Sequence, residues 1–128
     1  MPRLSRTPLR PYIKRDIVNE FWHTLGKLNT KEIYIIFKEV LTPTEIIMLA
    51  KRLAILRALQ DKTKYEDIRS IFKVTNGTIS SMNAILINLS PDGIKIIDRM
   101  VKDEDRHLEQ AHQSRTSKSS MLIFPKRT

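Results

Sequence analysis

At 128 residues, with 41% hydrophobic and 29% charged side chains, the chain is long enough for one hydrophobic core and too short for two comfortable ones, so one fold unit is expected. The absence of cysteine excludes disulfides and thiolate metal sites, and His23, His107 and His112 are too scattered to form another metal site. The net charge of +9 sits at the ends: residues 1–15 carry five cations, residues 112–128 carry four, neither stretch has an acid, and residues 16–111 balance to zero.

No apolar run approaches the roughly 18–20 residues that span a bilayer, and the first residues lack the apolar segment of a signal peptide. Neither a metal nor a membrane is therefore expected as partner, and the expected location is the cytoplasm, at the nucleoid. Two basic ends on a neutral body suit a polyanion, because Lys and Arg side chains can follow phosphates beyond a docked surface. The alternative is that they only solubilise.

Residues 1–11 hold Pro2, Pro8 and Pro11 among arginines and read as a basic flexible arm. A single helical domain is expected over 12–110. In its first helix, near 12–28, Ile13, Ile17, Phe21, Leu25 and Leu28 recur three or four apart, with Val18 and Trp22 widening the stripe. A second, near 31–40, has Thr30 as candidate cap and Ile33, Ile36, Phe37 and Val40 as its apolar side, ending before Pro43.

Thr42, Pro43 and Glu45 predict the start of the third helix, near 43–61: a hydroxyl to cap, a proline for the first helical position, and a carboxylate to close a capping box. Ile46, Leu49, Ala50, Leu53, Leu56 and Leu59 are its expected buried face. Thr63 and Glu66 suggest a second capping box for a helix near 64–72. Thr75 can cap a helix near 76–89, and Ser90-Pro91 starts another, near 91–105, with regular structure fading between 105 and 111. The basic, serine-rich 111–128 tail is expected to be disordered, although its apolar 121–124 cluster could dock.

Residues 64–86 carry the pattern of a helix-turn-helix. Two short helices that cross steeply share a small core while the outer face of the second enters a major groove. Counting from Tyr65, the fourth, eighth, tenth, fifteenth and eighteenth places should be apolar; they are Ile68, Phe72, Val74, Ile79 and Met82. Two places depart from the usual pattern: Arg69 stands where a small residue is common, and Lys73 where the turn favours glycine.

The face left outside comprises Thr75, Asn76, Gly77, Thr78, Ser80, Ser81 and Ala84, all small or polar. Asn76 can pair with adenine through two hydrogen bonds, Thr78 and Ser80 can reach base edges, and Gly77 permits close approach; Thr75 and Ser81 complete the expected base-reading set. Gly77 could equally be no more than a loosened first turn. This helix has no cation, so phosphate contacts are expected from its N-terminal amides, from Lys62, Lys64, Arg69 and Lys73 around it, and from Arg3, Arg6 and Arg10 of the arm.

The run LTPTEIIMLAKRLAILRALQDKTKYEDIRSIFKVTNGTISSMNAIL, with its LTPTE start, Arg52, and the Thr78-Ile79-Ser80 triplet, resembles the tryptophan repressor superfamily over about residues 41–90. The resemblance implies an all-α, intertwined homodimer in which the first two helices and the last pack against those of the other subunit, which would account for the apolar 13–28 and 33–41 stretches; a compact monomer is the competing explanation. It also implies an effector pocket at Leu41, Thr42, Arg52, Ser81 and Met82. The family's ligand-clamping arginine and adjacent glycine fall on Ser81 and Met82, so a carboxylate loses its partner and an indole its space. Tryptophan is accordingly not expected as effector, no cofactor is expected, and a different small ligand or none is left open; Arg52 has the plainer reading of a helix residue paired with a nearby acid.

No nucleophile and base, metal cluster or glycine-rich phosphate loop can be read, so no enzyme is expected. The sequence points to a double-stranded DNA-binding transcriptional regulator, a repressor by resemblance. The rival is a helical adaptor that touches nucleic acid only through its basic arms. RNA is disfavoured because the stacking aromatics of single-strand readers are lacking.

Overall fold

The structure, a computed structural model, describes residues 7–114. Arg3 and Arg6 of the arm, the 115–128 part of the tail and its 121–124 cluster lie outside the described residues. All regular structure among the described residues is helical: α1 (Pro11–Lys27), α2 (Thr30–Val40), α3 (Pro43–Gln60), α4 (Tyr65–Phe72), α5 (Asn76–Ile87) and α6 (Pro91–Ser114). The chain divides into two compact units, one up to Leu49 and one from Ala50 onward, with the division inside α3.

The first unit is well terminated along its backbone. Pro11, expected to belong to the arm, instead supplies the first residue of α1, where its fixed φ suits the helix and its missing N–H would have had no partner. The cap of α2 is Asn29 and not Thr30: Asn29 Oδ1 accepts from the Glu32 amide at 2.9 Å while Glu32 Oε1 accepts from the Asn29 amide at 3.0 Å. The side chain one residue earlier reaches the third helical amide, and Thr30 is left as an ordinary first-turn residue. At the start of α3 the Thr42 amide donates to Glu45 Oε1 at 2.9 Å and the Glu45 amide donates to Thr42 Oγ1 at 3.1 Å, a completed capping box. The bond from the Thr42 backbone amide, and after it the Thr42 hydroxyl, favour the ionised form and hold the Glu45 carboxyl below its ordinary pKa.

Side-chain burial in this unit is another matter. Neither α1 nor α2 has a buried residue. Phe21 meets Phe37 edge-on at 6.3 Å between centroids and Trp22 at 5.1 Å, which joins the two helices through one aromatic pair. Beyond it, Ile17, Val18, Trp22, Tyr34, Ile35, Ile36 and Val40 are all exposed, with Trp22 at 64% and Val40 at 68%.

The second unit holds the core. Ala54, Ile55, Ala58 and Leu59 of α3, Ile68 and Phe72 of α4, Ile79, Met82 and Leu86 of α5, and Ile97 of α6 form one buried cluster. Leu56, Ile71, Val74, Leu89, Ile94 and Met100 pack around it, and no polar or charged residue is buried among the described residues. The buried side of α3 therefore differs from the expected one: Ile46, Leu49 and Leu53 are exposed, and Ala54, Ile55 and Ala58 take the inward positions. Apolar residues run around the whole of α3, so spacing alone does not choose a face; the alanines let the neighbouring helices approach closely.

Helix ends within this unit are also specific. After α3 the Lys62 amide donates to the Leu59 carbonyl at 3.1 Å and the Thr63 amide to the Ala58 carbonyl at 2.9 Å, the paired bonds of a Schellman motif, with Lys62 left-handed at φ 64°. Thr63 is thereby drawn into closing α3, and the expected box between Thr63 and Glu66 does not form; α4 starts from Lys64, whose side chain makes no cap. Ser90 Oγ accepts from the Gly93 amide at 3.1 Å to start α6. The regular structure of α6 does not fade near 105 but runs to Ser114, because half-buried Val101, Glu104, Leu108 and Ala111 continue at helical spacing. Gln60 donates to Asp98 at 2.7 Å and Arg57 pairs with Glu104 at 3.5 Å, tying α3 to α6 along the same edge.

Candidate nucleic-acid interface

Two elements and a three-residue turn build the site. In α4, Ile68 and Phe72 face the core, and in α5, Ile79, Met82 and Leu86 do; Ile68 and Ile79 have no exposed surface at all. Complete burial of two isoleucines from consecutive helices fixes how those helices cross, since displacing either would open a void lined by apolar atoms. Val74 is half-buried in the turn and completes the small shared core.

The turn keeps the left-handed geometry that glycine would favour, with Lys73 at φ 54°. A left-handed lysine costs about 1 kcal/mol against glycine, and its side chain is exposed. Thr75 then caps α5: its Oγ1 accepts from the Thr78 amide at 3.2 Å and lies 3.1 Å from Thr78 Oγ1.

Burial of Ile79, Met82 and Leu86 forces the opposite side of α5 outward. Thr75, Asn76, Gly77, Thr78, Ser80, Ser81 and Ala84 are all exposed, and together they make a narrow edge of small and polar groups. A Cβ built on Gly77 would meet only Thr75 Oγ1, at 3.7 Å, so nothing within the fold demands glycine there. Toward the C-terminal end the edge changes character, since Ile85 and Ile87 are also exposed.

Cations lie around this edge and not on it. Lys62, Lys64, Arg69 and Lys73 are exposed at the two ends of α4 and along it, while α5 carries no charged side chain. Arg69 differs from the three lysines in having a partner: its Nη1 donates to Asn76 Oδ1 at 2.9 Å, spanning the turn from α4 to α5. The sequence suggests an anchor at Arg69 and a free carboxamide at Asn76, and it does not reveal the bond between them. The one signal it offers is a long cationic side chain at a place where a small residue is usual. Arg10, in the first unit, donates to the Tyr12 hydroxyl at 3.4 Å.

The expected effector residues are distributed over both units. Leu41 is half-buried and Thr42 is engaged in capping α3, both in the first unit. In the second, Arg52 is exposed and, among the described residues, has no ion pair, so its expected pairing with a nearby acid is not found. Ser81 is exposed, and Met82 is 3% exposed within the core.

Among the described residues, no cluster of His, Cys, Asp and Glu could hold a metal ion, and no helix is long and apolar enough to cross a membrane. Comparison with curated proteins and with solved structures gave no significant match. The family model described as Trp repressor protein matches residues 18–101, from the middle of α1 to the first half of α6 and across the whole helix-turn-helix. The chain therefore belongs to the Trp repressor protein family, whose members are all-helical, helix-turn-helix DNA-binding regulators.

Proposed function

We propose that this protein is a sequence-specific repressor that places α5 in the major groove of double-stranded DNA. The carrying observation is the edge of α5 from Thr75 to Ala84, which is exposed, small and polar while the reverse side of the same helix is packed into the core. In this reading Thr75, Asn76, Gly77, Thr78, Ser80 and Ser81 face base edges, and Lys62, Lys64 and Lys73, with the arm residues Arg3, Arg6 and Arg10, hold phosphates. Because the reading helix is uncharged, affinity depends on these surrounding cations and falls steeply with salt. Such a protein works in the cytoplasm at the nucleoid, and it represses by occupying its site.

The active form is a homodimer. α1 and α2 have no buried residue and expose Ile17, Val18, Trp22, Ile35, Ile36 and Val40, and an isologous partner would cover this apolar surface with the same surface of a second copy. Two reading helices would then address half-sites about one helical turn apart, roughly 34–36 Å. Tryptophan is not proposed as effector, since Ser81 offers no cation to a carboxylate and Met82 already fills core space.

Selection from random duplexes tests this reading. The expected result is a defined, two-fold symmetric motif, with binding weakened by about 1–3 kcal/mol when Asn76→Ala or Ser80→Ala removes a hydrogen bond to a base. Weak binding indifferent to sequence and to both substitutions would instead identify an adaptor that holds nucleic acid through its basic arms alone.

A further inference from the structure

The bond between Arg69 and Asn76 has the geometry of a device that sets base preference. A guanidinium has only donors, so the carboxamide atom facing Arg69 must be the oxygen; chemistry assigns the two ends of the amide. Asn76 is thus oriented by a charge-assisted bond at 2.9 Å, with its acceptor turned to a cation and its NH2 group left for a ligand. The same guanidinium has further N–H donors besides the one that Asn76 accepts. The neighbouring hydroxyls of Thr75 and Thr78 are bonded to each other at 3.1 Å, so the groups at Asn76 whose role is fixed are its own NH2 and the guanidinium, both donors.

A free asparagine reads adenine, using its oxygen for the N6 amino group and its nitrogen for N7. With Arg69 in place, the N6 amino group of adenine would approach a donor-rich site, whereas guanine offers two acceptors, N7 and O6, to the same site. Resting on the DNA-reading role of α5, we propose that Arg69 is a positioning residue that converts Asn76 from an adenine reader into part of a guanine reader. Arg69 then belongs to base discrimination, and phosphate anchoring falls to Lys62 and Lys64 at the start of α4 and to Lys73 at its end.

The test compares full-length wild type, Asn76→Ala, Arg69→Ala and Arg69→Lys by selection from randomised duplexes, with circular dichroism to verify folding of these surface variants. The position read by Asn76 is the one whose preference disappears in Asn76→Ala. At that position wild type is expected to favour guanine over adenine by about tenfold or more. Arg69→Ala should switch that single position to adenine and keep the rest of the motif, while Arg69→Lys, which retains a donor, should keep guanine with a smaller margin. Uniform weakening of all duplexes by Arg69→Ala, with an unchanged motif and a salt slope reduced by about one, would make Arg69 a phosphate contact and overturn the proposal. Wild type that selects no motif overturns the DNA-reading role itself, a result distinct from an unchanged motif in the Arg69 variants.

Discussion

Lys62 and Lys73 bracket α4, and they are the two non-glycine residues with left-handed backbone among the described residues. Each closes a helix in the conformation that glycine adopts without steric cost, and each keeps an exposed cation at an end of the same short helix. Lys73→Gly is expected to raise stability by about 0.5–1 kcal/mol in chemical denaturation, the relief of the left-handed backbone being partly offset by the greater freedom of glycine in the unfolded chain. The same variant should bind all duplexes less tightly and lower the salt slope by about one. Gain of stability together with unchanged salt dependence would remove Lys73 from the phosphate contacts.

Gly77 separates a structural from a functional account of α5. There is room for a methyl group beside Thr75 Oγ1, and alanine is the better helix former by up to about 1 kcal/mol. Gly77→Ala should therefore raise the melting temperature while weakening binding to the selected duplex, because the added methyl stands on the edge proposed to enter the groove. If affinity is unaffected, glycine at this place is only a weak first turn.

The crossing of α4 and α5 depends on Ile68 and Ile79, neither of which has any exposure. Ile68→Ala or Ile79→Ala should each cost about 2–4 kcal/mol, and Ile79→Val about 0.5–1.5 kcal/mol, in denaturation measured at fixed protein concentration. Destabilisation below about 1 kcal/mol in both alanine variants would show that the two helices do not rely on this shared core.

The box at the start of α3 gives a stability profile with a defined sign. Thr42→Ala removes the side-chain acceptor for the Glu45 amide and is expected to cost about 1 kcal/mol. The bonds from Thr42 hold the Glu45 carboxyl below its ordinary pKa in the folded chain, so its contribution is complete above the ordinary carboxylate range and disappears as pH falls through the lowered folded value. Glu45→Gln should flatten the acid limb of the stability curve; an unchanged limb in this variant would assign the acid sensitivity to other carboxylates.

Trp22 is the chain's one tryptophan and sits on the exposed apolar side of α1. Association through that side would shift its fluorescence to shorter wavelength as concentration rises, in step with the mass measured by sedimentation. Phe21→Glu should hold the emission at long wavelength and the mass at that of one chain, since it places a charge beside Trp22 and Phe37.

Chemistry that acts locally is legible in the sequence. The Thr42 and Glu45 pair, the Thr75 cap and the Ser90 cap each need only residues three apart, and each forms. The five apolar places of the reading unit are equally legible, because two short helices have few ways to share a core, and these residues are buried or half-buried. The starts of α2 and α4 fall elsewhere than expected because two polar residues compete for one end; at Lys64 the decision comes from the preceding helix, whose closure uses Thr63. The inward face of α3 is not legible, since its apolar residues encircle the helix and only tertiary packing selects among them. Of the candidate site, residue types reveal the edge, but the link from Arg69 to Asn76 depends on rotamers brought together by a left-handed turn.

A helix pair that has no buried residue has a consequence for dosage. If a second copy supplies the missing packing of α1 and α2, the ordered population of this chain rises with its own abundance, and more steeply than in proportion to synthesis. The onset of order would then need no small molecule: the number of copies would itself be the signal.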